Sequence, residues 1–328
     1  MFLCSGFFSM ESMESGLNGS GTYSLSSDFT CNDTITRLPS EILKATSLAM
    51  MSGKVYTFGG LVSPSHGSNE AWEYDFENSQ WSPLPALPDA RNLHCKCGTA
   101  QRWRDLDLRW EKRKKQINSS LVLASFLLCT GGYHLTNLHL SYFYNVRTRS
   151  YTAGPNIPES GYGFGHAKQE STKTLFIVGG NSWNGMIGSL HAFDMEERNY
   201  TQLPSTTALR AYRDCYVFDS IGKLLTSGGY TNTWSPASDV EIYDIVARTW
   251  SSGQALPNSA SKWSGFVIGE GGMSTLHTLQ ESSPGVYKYD VDTNEWILVY
   301  PTFEMTKTPR SLLVAIDDVE KEDNCWMN

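Results

Sequence analysis

The chain has 328 residues, a formal charge of -8, 40% hydrophobic residues and 18% charged ones. That mixture supplies enough apolar material for a core and too little charge for a disordered chain, while the acidic balance excludes a general nucleic-acid or anionic-membrane binder, which needs a basic footprint. No stretch reaches the roughly 18 apolar residues that cross a bilayer, and the opening MFLCSGFFSMES has neither the basic start nor the continuous apolar run of a secretory signal.

Residues 1–21 are expected to form a disordered N-terminal segment. The stretch YSLSSDFTCNDTITRLPSE that follows reads as a degraded two-strand hairpin, with Ile35-Thr36-Arg37-Leu38-Pro39 echoing Tyr200-Thr201-Gln202-Leu203-Pro204. A short apolar strand then runs into two glycines at KVYTFGGL (54–61), and the same event recurs at LLCTGGYH (127–134), TLFIVGGN (174–181) and KLLTSGGY (223–230). Downstream of each doublet stand two aromatics with six residues between them: Tyr74 and Trp81, Tyr144 and Tyr151, Phe193 and Tyr200, Tyr243 and Trp250, and, in a fifth unit, Tyr289 and Trp296. The second aromatics are spaced 70, 49, 50 and 46 residues apart, so one period is near 50 residues.

Alternation and turn chemistry split each unit into four strands, a to d. In the fourth unit, strand a surrounds Tyr216, DSIGK turns, LLTS is strand b, VEIY is strand c, and Trp250 begins strand d. Asp75, Asn145, Asp194, Asp244 and Asp290 follow the leading aromatics and are the types that hydrogen-bond their own turn backbone. Proline after the second aromatic (Pro83, Pro155, Pro204, Pro257, Pro301) suits an outer strand. A four-stranded sheet that is apolar on both faces cannot bury them alone, so neighbouring units must stack. The doublet fits there, because glycine takes φ values that other residues avoid and admits a large aromatic against the backbone.

The doublet, the Tyr-x6-Trp spacing and the Leu-Pro behind it resemble the Kelch repeat, and residues 41–318 fit the pattern. The resemblance implies an all-β, six-bladed Kelch-type (galactose-oxidase/Kelch) β-propeller of four-stranded antiparallel blades over residues 22–319, with a C-terminal tail at 320–328. The front hairpin and the tail strand PRSLLVAIDDV would together make the sixth, closing blade; five blades with two frayed ends is the alternative. Tyr151 and Tyr200 depart from Trp, and the fifth unit puts Gly271-Gly272 in its a–b turn, so that blade is expected to be the least regular. The insertion at 100–120 carries seven Lys or Arg against three Asp or Glu; it reads as a basic partner-binding loop, a solvated insertion or a gene-model artefact.

No catalytic constellation is legible: there is no G-x-S-x-G, P-loop or H-E-x-x-H. His94, Cys95 and Cys97 with Cys129 match no zinc spacing, and His166 reads as a core histidine, so no cofactor, metal or catalytic residue is implied. Catalytic relatives of the fold, copper oxidases and sialic-acid epimerases, leave a carbohydrate-processing or carbohydrate-binding propeller as the competing class. In a meander the b–c loops and d–a links share one end of the sheets. There the sequence puts Tyr133, His134, Trp183, Tyr230 and Trp234 in loops and Arg91, Tyr162, Arg210, Arg213, Trp263 and Arg310 in or beside links, the residue types of interface hot spots. Arg213 and Tyr230 also sit where the resemblance implies peptide gripping. The expectation is a non-catalytic, monomeric module binding a partner protein or acidic peptide at this end.

Seven cysteines form an odd, widely spaced set that reads as reduced thiols and, with the opening segment, favours a cytoplasmic protein, whereas an incomplete N-terminus would allow secretion. Of four glycosylation triplets, at Asn18, Asn32, Asn118 and Asn199, the last three fall on the a–b/c–d end and would carry sugar only in a secreted protein.

Overall fold

The computed structural model describes residues 4–7, 47–51, 54–63, 66–75, 78–91, 126–134, 136–257, 263–270, 273–280, 283–300 and 313–316. Among them there is no α-helix, and the strands form sheets joined in sequence order. Sheet 1 runs Ser47–Met51, Lys54–Phe58, Ala71–Asp75 and Gln80–Leu84. Sheet 2 is described from strand b onward, as Phe126–Thr130, Ser141–Asn145 and Ser150–Ala153. Sheet 3 runs Gly165–Gln169, Thr174–Val178, Leu190–Asp194 and Asn199–Leu203. Sheet 4 runs Asp214–Phe218, Lys223–Ser227, Val240–Asp244 and Thr249–Gly253, and sheet 5 runs Trp263–Glu270, Met273–Gln280, Ser283–Asp290 and Glu295–Tyr300. Every neighbouring pair within these sheets is antiparallel.

The paired aromatics are cross-strand partners in all five sheets, Tyr74 opposite Trp81, Tyr144 opposite Tyr151, Phe193 opposite Tyr200, Tyr243 opposite Trp250 and Tyr289 opposite Trp296. Their ring centroids lie 4.7–5.0 Å apart, within the range of favourable tilted stacking. The six-residue spacing is set by the c–d hairpin. The side chains of Asn145, Asp194, Asp244 and Asp290 each accept hydrogen bonds from the two N–H groups that follow in the turn. The last turn residue, Ser79, Arg149, Arg198, Arg248 or Asn294, takes a left-handed φ of 51–58° that returns the chain into strand d.

The apolar core is divided among clusters that each join two successive sheets. Tyr144, Phe193, Tyr243 and Tyr289 point back at the preceding sheet and are completely buried there. Tyrosine and tryptophan in strand d also tie one sheet to the last. Tyr151 Oη donates to the Pro85 carbonyl at 2.9 Å and Trp250 Nε1 to the Pro204 carbonyl at 2.7 Å, each on the preceding sheet's exit. Tyr200, which also replaces Trp, turns its hydroxyl instead toward Thr130 and Ser141 of sheet 2, at 3.2 and 3.4 Å.

Each doublet is a junction. At Gly179-Gly180, φ is 62° and 112°, the first N–H donates to Ser189 ahead of strand c, and the second donates to Arg210 in the link to the next sheet. The same pair of bonds recurs from Gly59-Gly60 to Glu70 and Arg91, and from Gly131-Gly132 to Leu140 and Gly161. A Cβ on Gly180 would stand 2.6 Å from the ring of Phe164, at the entry of its own sheet, and one on Gly131 would stand 2.9 Å from that same ring, so the sheet 2 doublet admits an aromatic from the entry of the adjoining sheet. Sheet 5 is the irregular one, with longer strands and register shifts at Leu279/Gln280 and Val286/Tyr287.

The tail strand appears as Leu313–Ile316, lying against strand a of sheet 5. Its hydrogen-bonded partner, in parallel, is Cys4–Phe7, inside the segment expected to be disordered. The hairpin expected at 23–41, the insertion at 100–120, Arg310, Asn32 and Asn118 lie outside the described residues.

Candidate interaction surface

At the b–c/d–a end the doublet bonds bring loops and links together, and the singled-out residues divide into two groups. Arg91 is not available to a ligand: it is completely buried, its guanidinium donates to the Gly131 and Leu140 carbonyls of sheet 2 at 3.1 and 3.0 Å, and it lies 5.0 Å from the Tyr142 ring centroid. Arg213, 5% exposed, is likewise internal, donating to Thr226 Oγ1 and Glu241 Oε2 at 2.9 Å and to the Ala208 carbonyl at 2.5 Å. Arg210 keeps some exposure but is held by Asp239, at 3.1 and 2.9 Å from Nε and a terminal nitrogen. These three are the lysines and arginines of this end among the described residues, and all are committed to protein groups. Lys54, Arg147, Arg149, Lys173, Lys223 and Arg248 stand at turns of the opposite end.

The aromatics form the second group and are joined ring to ring across three sheets. Tyr133 meets Tyr162 at 5.5 Å, Tyr162 meets Tyr212 at 6.2 Å, and Tyr212 meets Tyr230 at 6.0 Å and Trp234 at 6.3 Å. Asn181 Nδ2 donates to Tyr162 Oη at 2.6 Å and fixes that ring. Tyr212 is the member the sequence reading missed. Tyr162 pairs with Asn181 behind one doublet, and Ala211 pairs with Tyr230 behind the next, so Tyr162-Gly163 and Ala211-Tyr212 occupy equal positions with large and small residues exchanged. A Cβ on Gly163 would lie 3.2 Å from the Tyr212 ring, so this glycine makes the seat. Burial, with the Tyr162 and Tyr230 phenols adding, pushes the Tyr212 hydroxyl far above its usual pKa.

Trp183 and Trp234 are 71% and 51% exposed, yet both loops are tied down. Trp183 sits at the tip of a hairpin between Asn181–Ser182 and Gly185–Met186, and Asn232 from the next loop accepts the Met186 N–H at 2.8 Å. Trp234 has φ 58° in a turn whose Thr231 hydroxyl accepts the Thr233 and Ser235 N–H groups. His134 pairs in a short strand with Thr136 as part of the loop after the sheet 2 doublet, and Trp263 opens strand a of sheet 5. Asn199 is exposed at the c–d turn of the opposite end.

A set of inter-sheet ties was not legible beforehand. The residue two places before the leading aromatic in strand c faces the link from the preceding sheet. Tyr142 Oη donates to Asp89, His191 Nε2 lies 4.0 Å from Glu159, and Glu241 accepts from Thr206, Thr207 and Arg213. His191 is buried with neither ring nitrogen hydrogen-bonded among the described residues; desolvation lowers its pKa, against a smaller upward pull from Glu159.

Successive antiparallel sheets, glycine-doublet junctions and back-packed aromatics define a propeller-like repeat protein. The Kelch motif matches residues 44–88 and 222–257, covering strands of sheets 1 and 4. Kelch domain-containing protein 8B of Rattus norvegicus is 26% identical over 136 residues, 38% of this chain and 38% of that one. Kelch-like protein terF of Aspergillus terreus is 23% identical over 261 residues, 72% of this chain and 51% of its own length, and Kelch-like protein 40 of Mus musculus is 21% identical over 282 residues, 81% and 41%. The chain therefore carries Kelch motifs and is similar to Kelch-repeat proteins, and it spans about half or less of the curated relatives it matches.

Proposed function

We propose that the chain is a non-catalytic interaction module that seats a partner protein on the b–c/d–a end of a six-bladed propeller. The observation that carries the reading is the pair of exposed tryptophans, Trp183 and Trp234, on loops fixed by hydrogen bonds. Tryptophan is enriched in hot spots, and an anchor already held in place loses little freedom on binding. Leu209 and Val62, also exposed, lie at the same end. The Kelch names of the relatives are in keeping with a repeat scaffold and supply no catalytic residue for this chain.

Six blades are supported by the order of innermost strands. Gly165–Gln169 lies against Asp214–Phe218, which lies against Trp263–Glu270, which lies against Leu313–Ile316, so the tail strand continues the series one blade further. The test is cross-linking mass spectrometry on captured complexes, comparing the chain with a Trp183→Ala/Trp234→Ala variant of unchanged thermal midpoint. The variant is expected to lose its cross-linked partner; retention of every partner would move the surface elsewhere.

A further inference from the structure

We infer that the outer strand of sheet 5 pairs with the same strand of a second copy, so that two chains join edge to edge, in place of the monomer implied by the sequence. Glu295–Tyr300 is the last strand in the order of its sheet, hydrogen-bonded to Ser283–Asp290 on one side. It reads EWILVY, and Ile297 and Leu298, the two residues after the second aromatic, are each 47% exposed. The same two positions read SP, TA, TQ and SS in sheets 1 to 4. Proline or polar side chains blunt a sheet edge, whereas an apolar edge left open is a template for another strand. A further blade would not cover it. Thr152, Ala153, Thr201, Gln202, Ser251 and Ser252 hold these positions in sheets 2 to 4 and are exposed although another sheet follows each, so a blade beyond sheet 5 would leave Ile297 and Leu298 in water as well.

A second copy fits this edge by symmetry and by charge. A two-fold axis perpendicular to the sheet sets the two strands antiparallel and places one residue opposite itself. With Ile297 on the axis, Trp296 of each copy stands opposite Leu298 of the other; with Leu298 on the axis, Ile297 stands opposite Val299. Apolar residues meet across the junction in both registers, as cross-strand pairs that stabilise a sheet. Glu295 is the single charge in the strand. Its two copies lie at least four residues apart, about 14 Å at about 3.4 Å per residue, which is beyond the Debye length of about 8 Å. A charged partner strand would find no counter-charge here, whereas the strand's own copy needs none. Both copies use up the same edge, so the assembly closes at two. The antiparallel pairing also puts the b–c/d–a ends of the two sheets at opposite ends of the junction, so the two interaction ends point apart.

A contact one strand long buries less than the about 1,200 Å² of a stable interface, so the dimer is a weak one. The test is sedimentation velocity of the full chain from about 5 to about 500 μM, a range that brackets a weak contact. A monomer–dimer equilibrium is expected, with the dimer dominant at the upper end, where hydrogen exchange of the Trp296, Ile297 and Leu298 amides is expected to slow. Ile297→Ser/Leu298→Ser gives sheet 5 the pair that sheet 4 carries and is expected to weaken association at least about tenfold at an unchanged thermal midpoint. Ile297→Lys, which brings like charges together at the junction, is expected to abolish it. Added sodium chloride is expected to strengthen the dimer by screening the charge of -8 on each copy. A chain that stays monomeric throughout, a dimer indifferent to both variants, a dimer dissolved by salt, or growth past two copies overturns the proposal. None of these outcomes involves Trp183 or Trp234, so the interaction reading stands or falls separately.

Discussion

Replacing Arg213 separates a structural arginine from a ligand-gripping one. Its side chain is 2% exposed, makes three hydrogen bonds and faces Glu241, itself only 10% exposed. Arg213→Ala leaves that carboxylate without its cation, and breaking a buried pair costs about 3–5 kcal/mol. Glu241 keeps the Thr206 and Thr207 hydroxyls, which places the loss near the lower bound, about 3 kcal/mol. At about 2.1 cal/mol/K per residue, a domain of some 300 residues unfolds with about 0.6 kcal/mol/K, so the midpoint falls by about 5 °C, measurable by calorimetry. An Arg213→Met/Glu241→Leu double variant removes both charges and is expected to recover most of the loss, because an apolar pair of similar volume replaces a buried ion pair at little cost. A single variant that melts within about 2 °C of the parent, a shift worth about 1 kcal/mol or less, yet loses its partner would refute the reasoning.

Tyr151→Phe removes the hydrogen bond to Pro85 and keeps the stacked ring, so a loss of about 0.5–1 kcal/mol is expected in urea denaturation. Gly180→Ala forces a side chain onto φ 112° and against Phe164, and is expected to cost about 1–3 kcal/mol in backbone strain and about 1–3 kcal/mol in overpacking, read by the same assay. His191 is held neutral by burial, so below about pH 6.5 the unfolded chain binds a proton that the folded one resists. Stability therefore falls with pH in that window by up to about 1.4 kcal/mol per unit, and His191→Phe is expected to flatten the slope.

The repeat was legible because the same short-range chemistry is written several times: glycines where φ is positive, Asp or Asn where a turn needs an acceptor, aromatics at hairpin spacing. What the sequence left hidden lies between units. Arg91 and Arg213 look like ligand contacts in one dimension, because a basic residue in a link does not disclose the carbonyls and carboxylates that the neighbouring sheet turns toward it. Tyr212 was overlooked for a related reason: its exposure to its neighbours depends on Gly163, 49 residues earlier and one link away. The aromatic run is a tertiary property of residues that are individually ordinary.

The inter-sheet ties give a reason for irregularity within so regular a scaffold. Near-identical sheets risk stacking in the wrong order, since their apolar faces are interchangeable, and specificity then needs features that penalise the wrong neighbour. The three described ties do differ: a phenol meets Asp89, an imidazole faces Glu159, and a carboxylate meets Arg213 with two threonines. A His191→Glu/Glu241→His exchange keeps the composition but sets a carboxylate against Glu159 and strips Arg213 of its buried counter-charge. The second change alone is worth about 3–5 kcal/mol, so a midpoint drop of at least about 5 °C at neutral pH is expected. Adding Glu159→Gln to the exchange is expected to recover the share due to the first junction. An exchange variant that melts like the parent would mean that the junctions are interchangeable, and that sheet order is kept by apolar packing alone.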